Sequence, residues 1–208
     1  MVRRGAVDAF LTSLMVACGT TLLSIGIGLP AAYALARHDF PGRRTIEAII
    51  LMPLVLPALV LSIALTVLFS SIGFTAGSLR LVAAHLVICT PYVIRVTVPV
   101  LQRFDAALEE AAQNLGASPL ESFFLVTLPA IRPGAIAAAT LAFIVSFDEI
   151  DLAIFLASPR APTLPVTIYS AVQLGIDPTV GAVSALLVLL AIAAMAAYQL
   201  VAWRRAAA

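Results

Sequence analysis

The chain has 208 residues, of which 62% are hydrophobic and only 11% charged, with a net charge of +1. Soluble domains carry about 25% charged and about 45–50% apolar residues, so a soluble globular fold is excluded and lipid is the main solvent. Near-neutral charge gives no basis for binding nucleic acid.

A membrane helix needs about 20 apolar residues. Residues 9–36 hold no charge and form the first candidate span. This run is longer than the ~7–15-residue core of a cleavable signal. A second span is expected over 48–70, ending near Ser70-Ser71-Ile72-Gly73, and a third over 80–101, which includes Arg95. The fourth starts at 133 and is expected to continue past Asp148, Glu149 and Asp151 to Ala157; the fifth covers 179–203. Pro30, Pro53, Pro57 and Pro91 lie in or at the ends of spans, where neighbouring helices can satisfy the freed carbonyls. The expected fold is all-α: a polytopic membrane helix bundle of five spans forming one domain over 1–208. Cys18 and Cys89 sit in apolar runs, match no metal or disulfide spacing, and read as packing residues.

Every basic residue is Arg, and the placement of Arg sets orientation. Arg37, His38, Arg43 and Arg44 lie between the first two spans, Arg103 and Arg132 between the third and fourth, and Trp203-Arg204-Arg205 at the C-terminus. With five spans these regions share one side, which is expected to be cytoplasmic, C-terminus included. The opposite loops are poor in Arg: 70–79 has none and 152–178 only Arg160. Arg3 and Arg4 then fall outside, against the rule; a further helix upstream would restore it.

Segment 102–132 is the one long stretch on the cytoplasmic side. Phe104, Leu108, Ala111, Ala112 and Leu115 recur at spacings of three and four, which predicts a helix over 104–115. Glu109 and Glu110 are polar positions on it. Gly116 follows the last periodic residue, where a glycine can take positive φ. Ser118 is placed to cap a second helix, with Pro119 at its first position and Glu121 completing a capping box. That helix is expected to end before Pro129. The result is a helix, a glycine turn and a short helix, whose apolar stripe suits docking into a groove.

Within this segment Glu110-Ala111-Ala112, then Gly116, then Val126-Thr127-Leu128-Pro129 resembles the EAA motif of ABC-importer permeases. That motif reads EAA, three residues, G, nine residues, I-x-L-P; the departure is Val126 for Ile, a change of similar volume. Met52-Pro53-Leu54-Val55-Leu56-Pro57, Phe143-Ile144-Val145-Ser146-Phe147-Asp148-Glu149 and Leu164-Pro165-Val166-Thr167-Ile168-Tyr169-Ser170 are similar to the spermidine/putrescine-type permeases, over essentially the whole chain. The resemblance implies that Glu110, Ala111, Ala112, Gly116, Val126, Leu128 and Pro129 form a coupling segment that seats on a cytoplasmic ABC ATPase. It further implies a second permease subunit, identical or different, an external solute-binding protein, and a multi-pass location in a bacterial inner membrane. The chain holds no G-x-x-x-x-G-K-S/T, so ATP and Mg are expected on the partner ATPase, with no cofactor and no metal in this chain. Family members usually have six spans, with a helix ahead of the segment matching 9–36, so the expectation is either a start upstream of Met1, which Arg3 and Arg4 favour, or a five-span variant.

Asp148, Glu149 and Asp151 lie toward the outer end of the fourth span, and charges at such depth usually face protein or water. Two readings stand: they border the mouth of a translocation path and attract a cation, or they pair with Arg95 or Arg160. A buried Arg95 needs a partner or must snorkel. His85 reads as a hydrogen-bonded packing residue. Leu164–Ser170 is either a contact for the binding protein or a plug for the bundle. An intramembrane enzyme would need a nucleophile with a base, or paired metal ligands; His38 and His85 offer neither, and no H-E-x-x-H is present. A passive channel would leave the EAA segment without a use. Polyamines are the favoured substrate by resemblance, with opines, phosphonates or other small solutes as alternatives.

Overall fold

The computed structural model describes residues 2–158, 161–174, 181–182, 184–190 and 192–193. The chain forms two compact units, 1–165 and 166–208. The described residues are overwhelmingly helical and include no strand, only one isolated bridge between Ser158 and Ala161.

Helices α1 (Val2–Arg37) and α4 (Gly77–Arg103) are the long members of the first unit. Both match expected spans. At 1.5 Å per residue α1 reaches about 54 Å, well beyond a ~30 Å hydrocarbon layer, so its ends project. Both helices pack along α7 (Leu128–Asp148). A Cβ on Gly28 of α1 would stand 2.6 Å from Val93 of α4, and one on Gly134 of α7 would stand 2.8 Å from Val100 of α4. Such close approach, made possible by small residues, is how membrane helices gain contact energy where lipid supplies no hydrophobic drive. Cys89, Val93, Ala138 and Ala142 fill one core cluster, and Ala32, Leu35, Ile94, Leu101 and Ile131 fill another. Pro30, Pro91 and Pro99 lie inside these helices without ending them.

Two of the expected spans are not single helices. The second is split into α2 (Arg43–Leu51), a 3₁₀ turn at Met52–Leu54, and α3 (Ala58–Ser71), bent by 102°. Pro57 is the cause: it disfavours helical geometry at Leu56, and its own ψ of 129° points the chain away. The fourth span stops at Asp148. Glu149 is extended, with ψ 115°, and a separate short helix α8 (Asp151–Leu156) follows. At its other end this span starts earlier than residue 133. Helix α6 (Pro119–Ser122) runs through a π turn (Phe123–Thr127) straight into α7, so the second short helix does not end before Pro129. The π turn, closed by the Leu128 N–H on Phe123 O, widens the backbone just where Pro129 would clash in regular helix.

Among the described residues three helices are long and apolar enough to cross a membrane, or four if the bent pair counts as one. The second unit begins within α9 (Leu164–Leu174), so Leu164–Ser170 is helical. Most of the expected fifth span lies outside the described residues; 181–182, 184–190 and 192–193 within it are helical.

Candidate functional site

The polar segment between α4 and α7 builds a rigid elbow. Phe104 leaves α4 in extended geometry, φ −76° and ψ 129°. The chain then enters α5 (Ala107–Asn114), where the Asp105 carboxylate accepts the Ala107 N–H at 3.0 Å. The helix starts at 107 rather than 104, because Phe104 is in the link. Glu109 and Glu110 lie in its first turn, where negative charge suits the exposed N–H groups. At the other end the Ala117 N–H donates to Ala112 O at 3.1 Å and the Gly116 N–H to Gln113 O at 2.9 Å. This pair of bonds is a Schellman motif, and Gly116 holds φ at 99°. The next helix opens at once. The Ser118 N–H donates to Glu121 Oε2 at 2.8 Å, the Glu121 N–H to Ser118 Oγ at 3.3 Å, and Pro119 takes the first helical position. Every bond of the capping box read from the sequence is present.

The elbow shows one face outward. Glu110, Ala111 and Gly116 are exposed and Ala112 is half-buried. Leu115 is 91% and Leu120 71% exposed beside them. Val126 and Leu128 are half-buried, and Leu128 packs on the cluster around Leu101 and Ile131; Pro129 is exposed. The two halves of the motif therefore differ in kind. The first offers a surface, and the second roots that surface in α7.

The residue that sequence reasoning passed over is Glu109. It is 6% exposed, against an exposed Glu110. Its Oε1 takes the Arg37 guanidinium, Nε at 3.1 Å and Nη2 at 3.0 Å, and its Oε2 accepts the Tyr33 hydroxyl at 2.8 Å. Tyr33 and Arg37 stand four apart on one face at the end of α1, but nothing in their spacing points to Glu109, 76 and 72 positions away.

Asp148, Glu149 and Asp151 gather at the break between α7 and α8. Asp148 is exposed, and the other two are half-buried. Glu149 Oε1 accepts the Leu152 N–H at 3.2 Å, in the first turn of α8. Burial pushes the Glu149 carboxyl above the usual carboxylate range, with that backbone bond opposing and Asp151 adding to the rise. Among the described residues the ion pairs are Arg37–Glu109 and Arg43–Asp39, so none joins these carboxylates to Arg95; Arg160 lies outside the described residues. Arg95 is exposed on α4 rather than buried. His85 is buried and shares a 2.8 Å hydrogen bond with Ser146, tying α4 to α7. Cys89 is buried and Cys18 exposed; neither forms a disulfide. No group of three His, Cys, Asp or Glu among the described residues could hold a metal.

The described residues form an all-α bundle of helices long and apolar enough to cross a membrane, with an outward-facing elbow between two of them; that defines a class, the polytopic helical membrane subunits. The sequence pattern of the family described as "Binding-protein-dependent transport system inner membrane component" matches residues 24–206, and the chain belongs to that family. It is 38% identical to the putrescine transport system permease protein PotI of Escherichia coli (strain K12) over 178 residues, covering 82% of this chain and 63% of PotI. The chain thus spans a little under two thirds of that relative. It is 32% identical to the spermidine/putrescine transport system permease protein PotC of the same strain over 190 residues, covering 91% of this chain and 72% of PotC. These relatives are transport permeases rather than enzymes. In fold it is similar to the MetNI methionine ABC transporter in its inward-facing conformations, with a TM-score of 0.77 over 91% of this chain and 90% of that one, at 23% identity.

Proposed function

We propose that the chain is a permease subunit of an ATP-driven, binding-protein-dependent importer. The observation that carries this is the elbow, in which an exposed Glu110-Ala111 surface, flanked by exposed Leu115 and Leu120, is held by a Schellman turn and a capping box. Exposed apolar side chains on this polar segment, Leu115 between the long helices and Leu120 in the first turn of one, call for a partner that covers them. The partner is a cytoplasmic ABC ATPase, which supplies ATP and Mg. Small Ala111 and Ala112 let it approach closely, and Glu110 offers a charge for an arginine or a backbone amide. Closure of an ATPase pair would push the elbow, and the bundle would rock between inward-open and outward-open states. A second permease subunit and an external solute-binding protein complete the complex. The membrane is a bacterial inner membrane, with the C-terminus cytoplasmic.

The substrate class is a polyamine such as putrescine or spermidine. The names of PotI and PotC support it, and Asp148, Glu149 and Asp151 at the end of α7 offer negative charge for a cation. Purification of the tagged chain from native membranes should recover an ABC ATPase and a second permease. In proteoliposomes with its binding protein, the complex should take up radiolabelled putrescine or spermidine only with ATP. Uptake of a phosphonate or an opine instead would keep the importer and move the substrate. Recovery of no ATPase, with no ATP-driven uptake, would overturn the reading.

A further inference from the structure

Glu109 is buried on the face of α5 opposite the outward surface, and it does more than one job. Both its oxygens are occupied, by Arg37 and by the Tyr33 hydroxyl. Arg37 Nη2 also donates to Phe104 O at 2.9 Å, and the guanidinium lies 5.4 Å over the Phe104 ring. One arginine thus grips both α5 and the link that leads into it. The Ser122 hydroxyl donates to Glu109 O at 3.2 Å, bringing α6 to the same point. The Tyr33 ring meets Phe123 of the π turn edge-on at 5.1 Å. The last turn of α1, the link, α5, α6 and the π turn therefore meet around Glu109 and its two partners, Arg37 and Tyr33, with α6 joined through the Glu109 backbone carbonyl.

A buried ion pair is weak support for stability, since desolvating two charges offsets most of their attraction; its better-attested use is fixing register. Here it joins residues 72 positions apart that no backbone bond would hold together. We propose that Glu109 is a positioning residue. Through Arg37 and Tyr33 it locks the coupling elbow to the end of α1, so that a push on α5 moves α1 rather than bending the link at 104–106. This inference rests on the coupling role proposed above.

The test uses the complete complex in proteoliposomes, with the solute identified by the uptake experiment, putrescine on the present reading. Glu109→Gln, Arg37→Gln, the double variant and Tyr33→Phe are compared for solute moved per ATP hydrolysed and for KM toward the loaded binding protein. Each Gln variant should lose roughly tenfold in solute per ATP, with KM unchanged and the ATPase still bound. The double variant should be no worse than either single one, because both remove the same link. Tyr33→Phe should fall between them and wild type. Normal solute per ATP in Glu109→Gln, or losses that add in the double variant, would overturn the proposal. If the Gln variants fail to assemble, Tyr33→Phe decides, since it keeps the ion pair and removes one bond; unchanged solute per ATP there would overturn it. Failure of the wild-type complex to transport with ATP would instead remove the importer reading on which the inference stands.

Discussion

Glu109 and Glu110 are chemically the same residue with opposite placements. Successive helical side chains turn by about 100°, so one carboxylate faces the bundle and its neighbour faces out. Glu110 and Gly116 were legible in the sequence, since a fixed spacing and a helix stop signal mark them. The burial of Glu109 was not, because its partners Tyr33 and Arg37 lie on another helix far away in the chain. Gly116 gives the sharpest residue-scale prediction. Its φ is 99°, and a Cβ placed there would meet nothing within 4 Å. Within this chain a substitution therefore acts through backbone strain alone. Valine at such a φ costs on the order of 1–3 kcal/mol, enough to swing the elbow, while asparagine tolerates positive φ better. Gly116→Val should insert into the membrane normally and lose ATP hydrolysis stimulated by loaded binding protein; Gly116→Asn should keep more of it. Normal stimulation and uptake in Gly116→Val would show that the turn does not couple.

At the scale of elements, continuous apolar runs placed α1 and α4 within a few residues. The same runs concealed the 102° bend at Val55–Pro57 and the break at Glu149. Hydropathy registers how apolar a stretch is, whereas helix continuity depends on proline geometry and on where a carboxylate can reach a free N–H. The π turn was hidden for a similar reason. Pro129 reads as a stop, yet a local widening lets the helix pass through it. The crossing of α4 and α7 is set by Gly134, whose absent side chain leaves room for Val100. Overpacking a close contact costs about 1–3 kcal/mol, and the near neighbour here is the branched Cβ end of a valine, with little freedom to turn aside. Gly134→Leu should lower the midpoint of thermal unfolding in detergent and the yield of assembled complex. Unchanged melting would mean that α4 and α7 do not pack as closely as this crossing requires.

For the molecule as a whole, the carboxylates at the end of α7 are where the proposed substrate can be tested against the architecture. The sequence placed them near a membrane boundary but within a continuous span. The structure places them at a helix break, where Glu149 also serves α8 by accepting the Leu152 N–H. Charge and capping can be separated by isosteric amides. Gln at 149 still offers a carbonyl oxygen to Leu152, and Asn at 148 replaces an exposed carboxylate with no packing change. Asp148→Asn with Glu149→Gln should therefore leave the fold intact and remove two negative charges. If these groups concentrate a dication at the mouth of the path, putrescine uptake should fall several-fold at low ionic strength. The deficit should shrink as salt rises and the screening length drops from ~30 Å at 0.01 M to ~8 Å at 0.15 M. ATP hydrolysis without solute should stay at the wild-type rate. Equal uptake by wild type and variant at both salt concentrations would reduce this cluster to a helix cap, leaving cation selection to the binding protein.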